Sequence, residues 1–324
     1  MKTLRLIPDG TSIRFMEDRR FSFPLSGLLI VVSLALYMVF NLNFGIDFKG
    51  GTLIEIKTAE EVADISGIRS QLGTLNLGDV EVQEFGAPND VLIRVQTQEA
   101  GDLGAEAAQQ EVVAKVKATL GNTVDYRRVE VVGPRVSSEL ASAGSIAVIS
   151  ALFAVLVYIW FRFEWQFALG AVIATAHDVI LTIGIFAFLQ MEFNLSTIAA
   201  VLTIVGYSLN DTVVVYDRIR ENLRKYKKKP LTEVLDLSIN QTLSRTILTS
   251  VTTLLALGSL YFFGGEVIRS FTFAMIWGVF VGTYSSIFIA APLLVFLNLR
   301  SEQVQIPNET DEADETDDTG SVTS

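Results

Sequence analysis

The sequence predicts a polytopic α-helical membrane protein. It should have six transmembrane helices and one outer α+β ferredoxin-like domain between the first and second helices. Three observations carry that expectation. Half of the 324 residues are hydrophobic, and they gather into six runs near or above the ~18 residues that cross a bilayer core. Lys and Arg crowd one set of connecting segments and avoid the other. One long segment between the first two runs carries strand and helix periodicities instead.

The apolar runs are 25–42, 146–161, 167–189, 195–215, 246–263 and 271–297. Arg19-Arg20 precede the first run as in an export signal, including the twin-arginine kind. No small-residue cleavage site follows, and the chain continues directly as Asn41-Leu-Asn-Phe44. The run is therefore expected to stay as a signal anchor.

Basic residues in short loops set orientation. Lys2, Arg5, Arg14, Arg19 and Arg20 precede the first run; Arg218, Arg220, Arg224, Lys225, Lys227, Lys228 and Lys229 follow the fourth. Both segments should be cytoplasmic. The loop 190–194 has no basic residue and 264–270 has only Arg269, so both should lie outside, and both termini should be cytoplasmic. The expected organisation is a cytoplasmic segment 1–24, a first helix 25–42 and an outer domain 43–142, periplasmic in a Gram-negative cell. A five-helix bundle 143–299 follows, with a basic cytoplasmic loop 218–244. In the tail 300–324, Glu309, Asp311, Glu312, Asp314, Glu315, Asp317 and Asp318 crowd together with no basic residue after Arg300. Such a block stays solvated and is expected to be disordered.

Within 43–142 the pattern reads β-α-β-β-α-β. The stretch 52–57 alternates as a half-buried strand. Val62, Ile65, Ile68 and Leu72 give 59–72 helical spacing. Strands 80–85 and 91–95 flank a turn-rich loop 86–90. A helix 105–120 turns Val112, Val113 and Val116 inward, and 125–132 closes as a strand. This order is the split βαβ arrangement of ferredoxin-like domains.

The chain has no cysteine, which excludes disulfides and thiolate metal sites. No nucleophile–base set, metal cluster or phosphate loop is legible. No enzymatic activity, cofactor, metal or nucleic-acid partner is expected.

The chemistry instead lies in charges placed within apolar runs. Asp211 sits in the fourth and Arg245 opens the fifth. An ionisable group at mid-bilayer costs about 2.5–3.5 kcal/mol on insertion scales, so it usually faces a partner or a water path. Asp211 and Arg245 are either a static ion pair or part of an ion pathway. Tyr207 shares a helix face with Asp211, Asn210 adjoins it, and Asp217 marks the exit from the run. His177, the only histidine, and Asp178 lie in the third run, as a proton relay or a satisfied bundle contact. Adjacent helical residues point about 100° apart, so the two are not expected to face one narrow site.

Gly50 and Gly51 form a turn that allows positive φ before a strand, or they let a partner backbone approach. Gly133-Pro134 should break the last strand, with Ser137 or Ser138 capping the helix that follows. The stretch 230–239 reads as a short interfacial helix with Pro at its start.

Taken together, these residues resemble the SecF family of the SecD–SecF protein-export complex, within the resistance-nodulation-division superfamily. The resemblance runs from the first span to the sixth. It rests on Phe44-Gly-Ile-Asp-Phe-Lys-Gly-Gly-Thr52, with its Asp47, and on Val132-Gly-Pro-Arg-Val-Ser-Ser-Glu-Leu140 and Ala176-His-Asp-Val179. The most specific stretches are Tyr207-Ser-Leu-Asn-Asp-Thr-Val-Val-Val-Tyr-Asp-Arg-Ile-Arg-Glu-Asn222 and Asn240-Gln-Thr-Leu-Ser-Arg-Thr246.

The resemblance implies a six-span half of a pseudo-symmetric transporter in the bacterial inner (plasma) membrane. SecD would supply the other half. The pair would use the proton-motive force to help the SecYEG channel, with YajC as a further partner, complete export of unfolded preproteins. Proton passage would fall to Asp211 and Arg245, and contact with the emerging chain to the outer domain. Two other readings compete: half of a small-molecule or lipid efflux pump, and a passive assembly scaffold whose buried charges only fix helix pairing. A scaffold should tolerate Asn at position 211, and a proton carrier should not.

Overall fold

The computed structural model describes residues 11–98, 105–121, 123–297 and 299. Lys2, Arg5 and the acidic tail 300–324 lie outside the described residues. The first long helix, α1, spans Phe15–Phe40. A two-residue strand β1 (Asn43–Phe44) and a short helix α2 (Ile46–Lys49) lead into the outer domain. That domain comprises β2 (Gly51–Thr58), α3 (Ile65–Gly73), β3 (Val80–Phe85), β4 (Ala87–Val95), α4 (Ala105–Leu120) and β5 (Val124–Val132).

Five further helical stretches form the rest of the bundle. These are α5 (Pro134–Arg162), α6 (Trp165–Leu189), α7 (Leu195–Lys225), α8 (Leu231–Phe263) and α9 (Arg269–Ser285). The last continues through a π-helical turn, Ser286–Ala290, into α10 (Ala291–Phe296). A two-residue strand β6 (Glu192–Phe193) lies between α6 and α7. Six helices among the described residues are long and apolar enough to cross a membrane, and the chain is a multi-pass membrane protein.

The outer sheet is antiparallel throughout, in the order β3-β4-β2-β5, which is the ferredoxin-like topology. Ile54, Ile56, Val82, Val91, Ile93 and Val95 on one sheet face meet Ile68 and Leu72 of α3 and Val112 and Val116 of α4. Alternation along a strand sends every second residue to that face.

The boundaries differ from expectation in places, each with a local cause. The first domain helix starts at Ile65, not residue 59, because Asp64 accepts from Gly67 N at 2.9 Å and caps it. Ala63 N is meanwhile taken by Pro88 O at 2.9 Å, and Val62 is left exposed. The loop expected at 86–90 is mostly strand. Gly86 alone turns the chain at φ 85°, and a register irregularity follows Glu84. Helix α5 is not capped by Ser137 or Ser138. Pro134 opens it after Gly133, and both serines bond backward to Pro134 O and Arg135 O. Proline's fixed φ suits the first helical position. The separate interfacial helix expected at 230–239 is the start of the unbroken α8.

Inside the bundle two apolar clusters stack. One gathers Phe15, Ile159, Phe167, Tyr216, Ile219 and Leu235 on the side away from the sheet domain; the other gathers Phe186, Phe193, Ala200, Ile204 and Met275 nearer to it. Between them runs a buried polar layer that includes His177, Asp178, Ser208, Thr212, Ser285 and Ser286. Helices α7 and α9 approach closely because α9 carries glycine four residues apart. A Cβ on Gly278 would overlap the Ile204 side chain, and one on Gly282 would stand 3.1 Å from Ser208 Cβ. Small residues at this spacing let membrane helices meet backbone to backbone.

Candidate functional site

Two carboxylates in the bundle have different surroundings. Asp178 on α6 is fully buried. Its Oδ2 accepts from Ser208 Oγ of α7 at 2.6 Å and from Ser285 Oγ of α9 at 2.7 Å, and its Oδ1 lies 3.0 Å from His177 Nδ1. The π-helical turn beginning at Ser286 adds a second link, with Ser286 Oγ 2.8 Å from Thr212 Oγ1. His177 Nε2 is buried without a hydrogen-bond partner, and its ring lies 6.3 Å from that of Tyr284. The expectation that His177 and Asp178 would serve separate sites is corrected. Both are buried because other helices cover both faces of α6 here, and their side chains meet along its surface.

Asp211 on α7 is half-buried at the surface shared with α8. Its Oδ1 accepts from Thr246 Oγ1 at 2.6 Å, while its Oδ2 is buried with no partner. Arg245, one residue before Thr246, is exposed. It and Asp211 make no direct ion pair. One turn earlier on α7, the Tyr207 hydroxyl donates to Thr253 Oγ1 at 3.3 Å, and Asn210 is exposed. Asp217 stands apart from this group. It is exposed and accepts from Arg162 Nη2 at 3.0 Å, where α7 meets the end of α5.

The glycine-rich segment forms a third polar centre, where the outer domain meets the bundle. β1 pairs in parallel with β6, Asn43 opposite Glu192 and Phe44 opposite Phe193. Asp47 Oδ2 accepts from the backbone N of Leu195, the first residue of α7, at 2.9 Å. Asn194 caps the same helix by accepting from Thr197 N at 3.0 Å. Gly50 and Gly51 adopt φ of 72° and 119°, a region glycine enters at little cost. The turn reading fits this pair, and a Cβ on Gly51 would overlap the carbonyl oxygen of Val95 on the neighbouring strand β4.

Arg94 of β4 is buried. It lies 2.9 Å from Glu81, 3.4 Å from Asn43 Oδ1 and 3.3 Å from Glu192. Burial pushes the Glu192 carboxyl above its usual range, and Arg94 only partly offsets this.

Thr246, Ser208, Ser285 and Arg94 were not singled out from the sequence. Thr246 adjoins Arg245 within a noted motif, and Gly278 and Gly282 advertise the close crossing that brings Ser208 to Ser285. Arg94 reads simply as the one charged residue in the apolar strand 91–95.

Residues 112–300 match the family model described as protein export membrane protein SecD/SecF, C-terminal, and residues 39–62 match that of the SecD/SecF GG motif. The chain belongs to the SecD/SecF protein-export family. It is 47% identical over 305 residues to the protein translocase subunit SecF of Rickettsia bellii, covering 93% of this chain and 98% of that one. It is 46% identical over 316 residues to the protein translocase subunit SecDF of Brucella abortus, covering 98% of this chain. The crystal structure of SecDF from Thermus thermophilus superposes with a TM-score of 0.79 at 35% identity over 90% of this chain. The chain spans about 40% of the length of these SecDF relatives and nearly all of the SecF relative. The GG-motif match falls on Asp47, Gly50 and Gly51 at the joint, and the C-terminal match contains both bundle carboxylates.

Proposed function

We propose that this chain is the SecF half of a proton-driven Sec export motor, with Asp211 as the group that takes up and releases the proton. The observation that carries the reading is the unsatisfied geometry of Asp211. One carboxylate oxygen is held by Thr246, and the other is buried and unpartnered. Arg245 stands close by without pairing, on a surface where Asn210 is also exposed. Lipid cannot satisfy such groups, so a second half should cover this face, and SecD is that partner. The SecDF names of two relatives support this pairing. SecYEG would supply the channel, YajC would join the assembly, and the substrate would be an unfolded preprotein.

The protein would sit in the bacterial inner membrane with both termini cytoplasmic and the sheet domain in the periplasm. The basic residues in the last turns of α7, Arg218 to Lys225, and Lys227–Lys229 just beyond it support this orientation by the positive-inside rule. A cavity of about 520 Å³ lies between the open sheet face and the bundle loops, lined in part by Leu53, Phe85, Leu92, Met191 and Val267. Its mixture of apolar and polar walls suits an extended polypeptide. One elementary charge crossing 100 mV releases about 2.3 kcal/mol, enough to shift a conformational equilibrium several tens-fold.

The test is gradient-dependent preprotein release in vesicles at matched protein levels. Asp211→Asn should abolish release and proton passage while leaving assembly with SecD intact. Arg245→Met should do likewise, and His177 replacements should be milder. Full release with Asp211→Asn would make Asp211 a structural residue and favour the scaffold reading.

A further inference from the structure

A proton carrier in the membrane does mechanical work outside it only if something ties the carrying helix to the working domain. Asp211 lies sixteen residues into α7, which begins at Leu195 and ends at Lys225. At 1.5 Å per residue this places it about 24 Å from the helix's first residue. That first residue is where the glycine-rich segment grips.

Four contacts converge there. Asp47 accepts from Leu195 N across 148 positions of sequence. The β1–β6 pairing lays Asn43 and Phe44 beside Glu192 and Phe193, and Gly45 N adds a bond to Phe193 O at 2.9 Å. The rings of Phe44, Phe48 and Phe193 pack with centroids 5.9–6.0 Å apart. Arg94, buried on the domain side, reaches both Asn43 and Glu192. On the far side of the segment, Gly50 and Gly51 feed straight into β2, one of the two inner strands of the sheet.

A carboxylate at a helix N-terminus is held by an orphan N–H and by the helix dipole together. It therefore follows the helix end when the helix shifts.

We propose that Asp47 is a positioning residue for coupling: with the Arg94–Glu192 pair, it fastens the outer domain to the start of α7, so that displacement of the proton-carrying helix is delivered to the domain. The proposal rests on the export reading above. The joint stays closed while α7 moves, and the domain rides on it.

A spatial chain of contacts does not by itself demonstrate coupling, so the test separates proton passage from work. The chain is assembled with its SecD partner and the Sec channel in vesicles, and both quantities are read on the same preparation. Asp47→Ala should retain proton passage within about twofold and lose release roughly tenfold, inside the ~5–150-fold span usual for coupled sites. Asp47→Asn, which keeps an acceptor oxygen, should retain most of the release. A Cβ at position 45 would lie 3.3 Å from Asn194 Cβ, close to the ~3.8 Å of a disulfide, and 2.5 Å from Glu192 Oε1, so the Glu192 carboxylate swings aside and the covalent link takes over its share of the fastening. In the Asp47→Ala chain, Gly45→Cys with Asn194→Cys should therefore restore release when oxidised and lose it again on reduction.

Parallel loss of passage and release in Asp47→Ala would reduce Asp47 to a fold-holding residue and overturn the proposal, as would unchanged release. If Asp47→Ala does not assemble, the same cysteine pair with Asp47 intact decides. Release that survives oxidation supports a closed joint, and release blocked by oxidation refutes it. Normal release by Asp211→Asn would instead refute the export reading on which the proposal stands.

Discussion

Replacing Asp178 by alanine removes one acceptor group from three partners on three helical segments. Ser208 loses its bond of 2.6 Å, Ser285 one of 2.7 Å, and His177 its contact of 3.0 Å. Hydrogen bonds between membrane helices average about 0.6 kcal/mol, with a ceiling near 1.7. The two interhelical bonds give about 1 kcal/mol at the mean and about 3 at the ceiling, and leaving His177 Nδ1 buried without its partner adds about 1–3 kcal/mol. Ser285 keeps a second acceptor in Gly282 O at 3.2 Å, so the lower end applies. We expect Asp178→Ala to destabilise the bundle by about 2–3 kcal/mol. Asp178→Asn should cost less than about 1 kcal/mol, because an amide oxygen accepts from both serines and the amide nitrogen donates to His177 Nδ1. Denaturant titration of the detergent-purified complex measures both, and vesicle release should follow stability. The reasoning fails if alanine is tolerated within 1 kcal/mol. It also fails if asparagine keeps the fold but stops export, since that would require Asp178 to ionise.

Two further outcomes follow from packing and charge. Gly278→Ala should cost about 1–3 kcal/mol by overpacking against Ile204, whereas Gly27→Ala, with open space around its Cβ, should be neutral; expression yield and melting of the two variants make the comparison. An impermeant thiol reagent applied from outside intact cells should label Asn89→Cys and spare Lys227→Cys in this cysteine-free chain, and the reverse pattern would invert the topology.

The six helices were legible because each holds an apolar run long enough to force a span. Their ends were not, because a helix does not stop where lipid does. Helix α7 continues past residue 215 through Arg218 and Arg220 to Lys225, where solvated charges satisfy the helix surface. The same continuity hid the first turns of α8, whose Asp236 holds Met16 N at 2.9 Å. The ferredoxin-like order could be read because alternation in 52–57 and 125–132 has the strand period. The β1–β6 pair could not, because two-residue strands have no period. Asp211 and Arg245 stood out as charges in apolar sequence. Asp47 stood out only as part of the Gly-rich motif, because its partner, the first residue of α7, lies far along the chain and that stretch already has a sufficient local explanation as a turn.

Saturation of hydrogen bonds separates the two bundle carboxylates more sharply than burial does. Asp178 is the more buried, yet each of its oxygens is engaged, Oδ2 by serines of α7 and α9 and Oδ1 by His177 of its own helix. Any change in its protonation would have to break contacts that hold α6, α7 and α9 together. Asp211 is less buried and less engaged. Its free oxygen is buried beneath the α7–α8 surface, and on that surface the exposed Arg245 side chain has no ion-pair partner among the described residues. The proposed proton exchange needs a carboxylate oxygen with hydrogen-bonding capacity to spare and a nearby cation not locked in an ion pair, and Asp211 has both. A group that must keep helices in register needs neither, and the serines around Asp178 leave it neither. Under the proposed function, the polar layer holds the helices and the α7–α8 surface carries the proton, two tasks on aspartates of adjacent helices. Under the further proposal, Asp47 ties the head of α7 to the sheet domain.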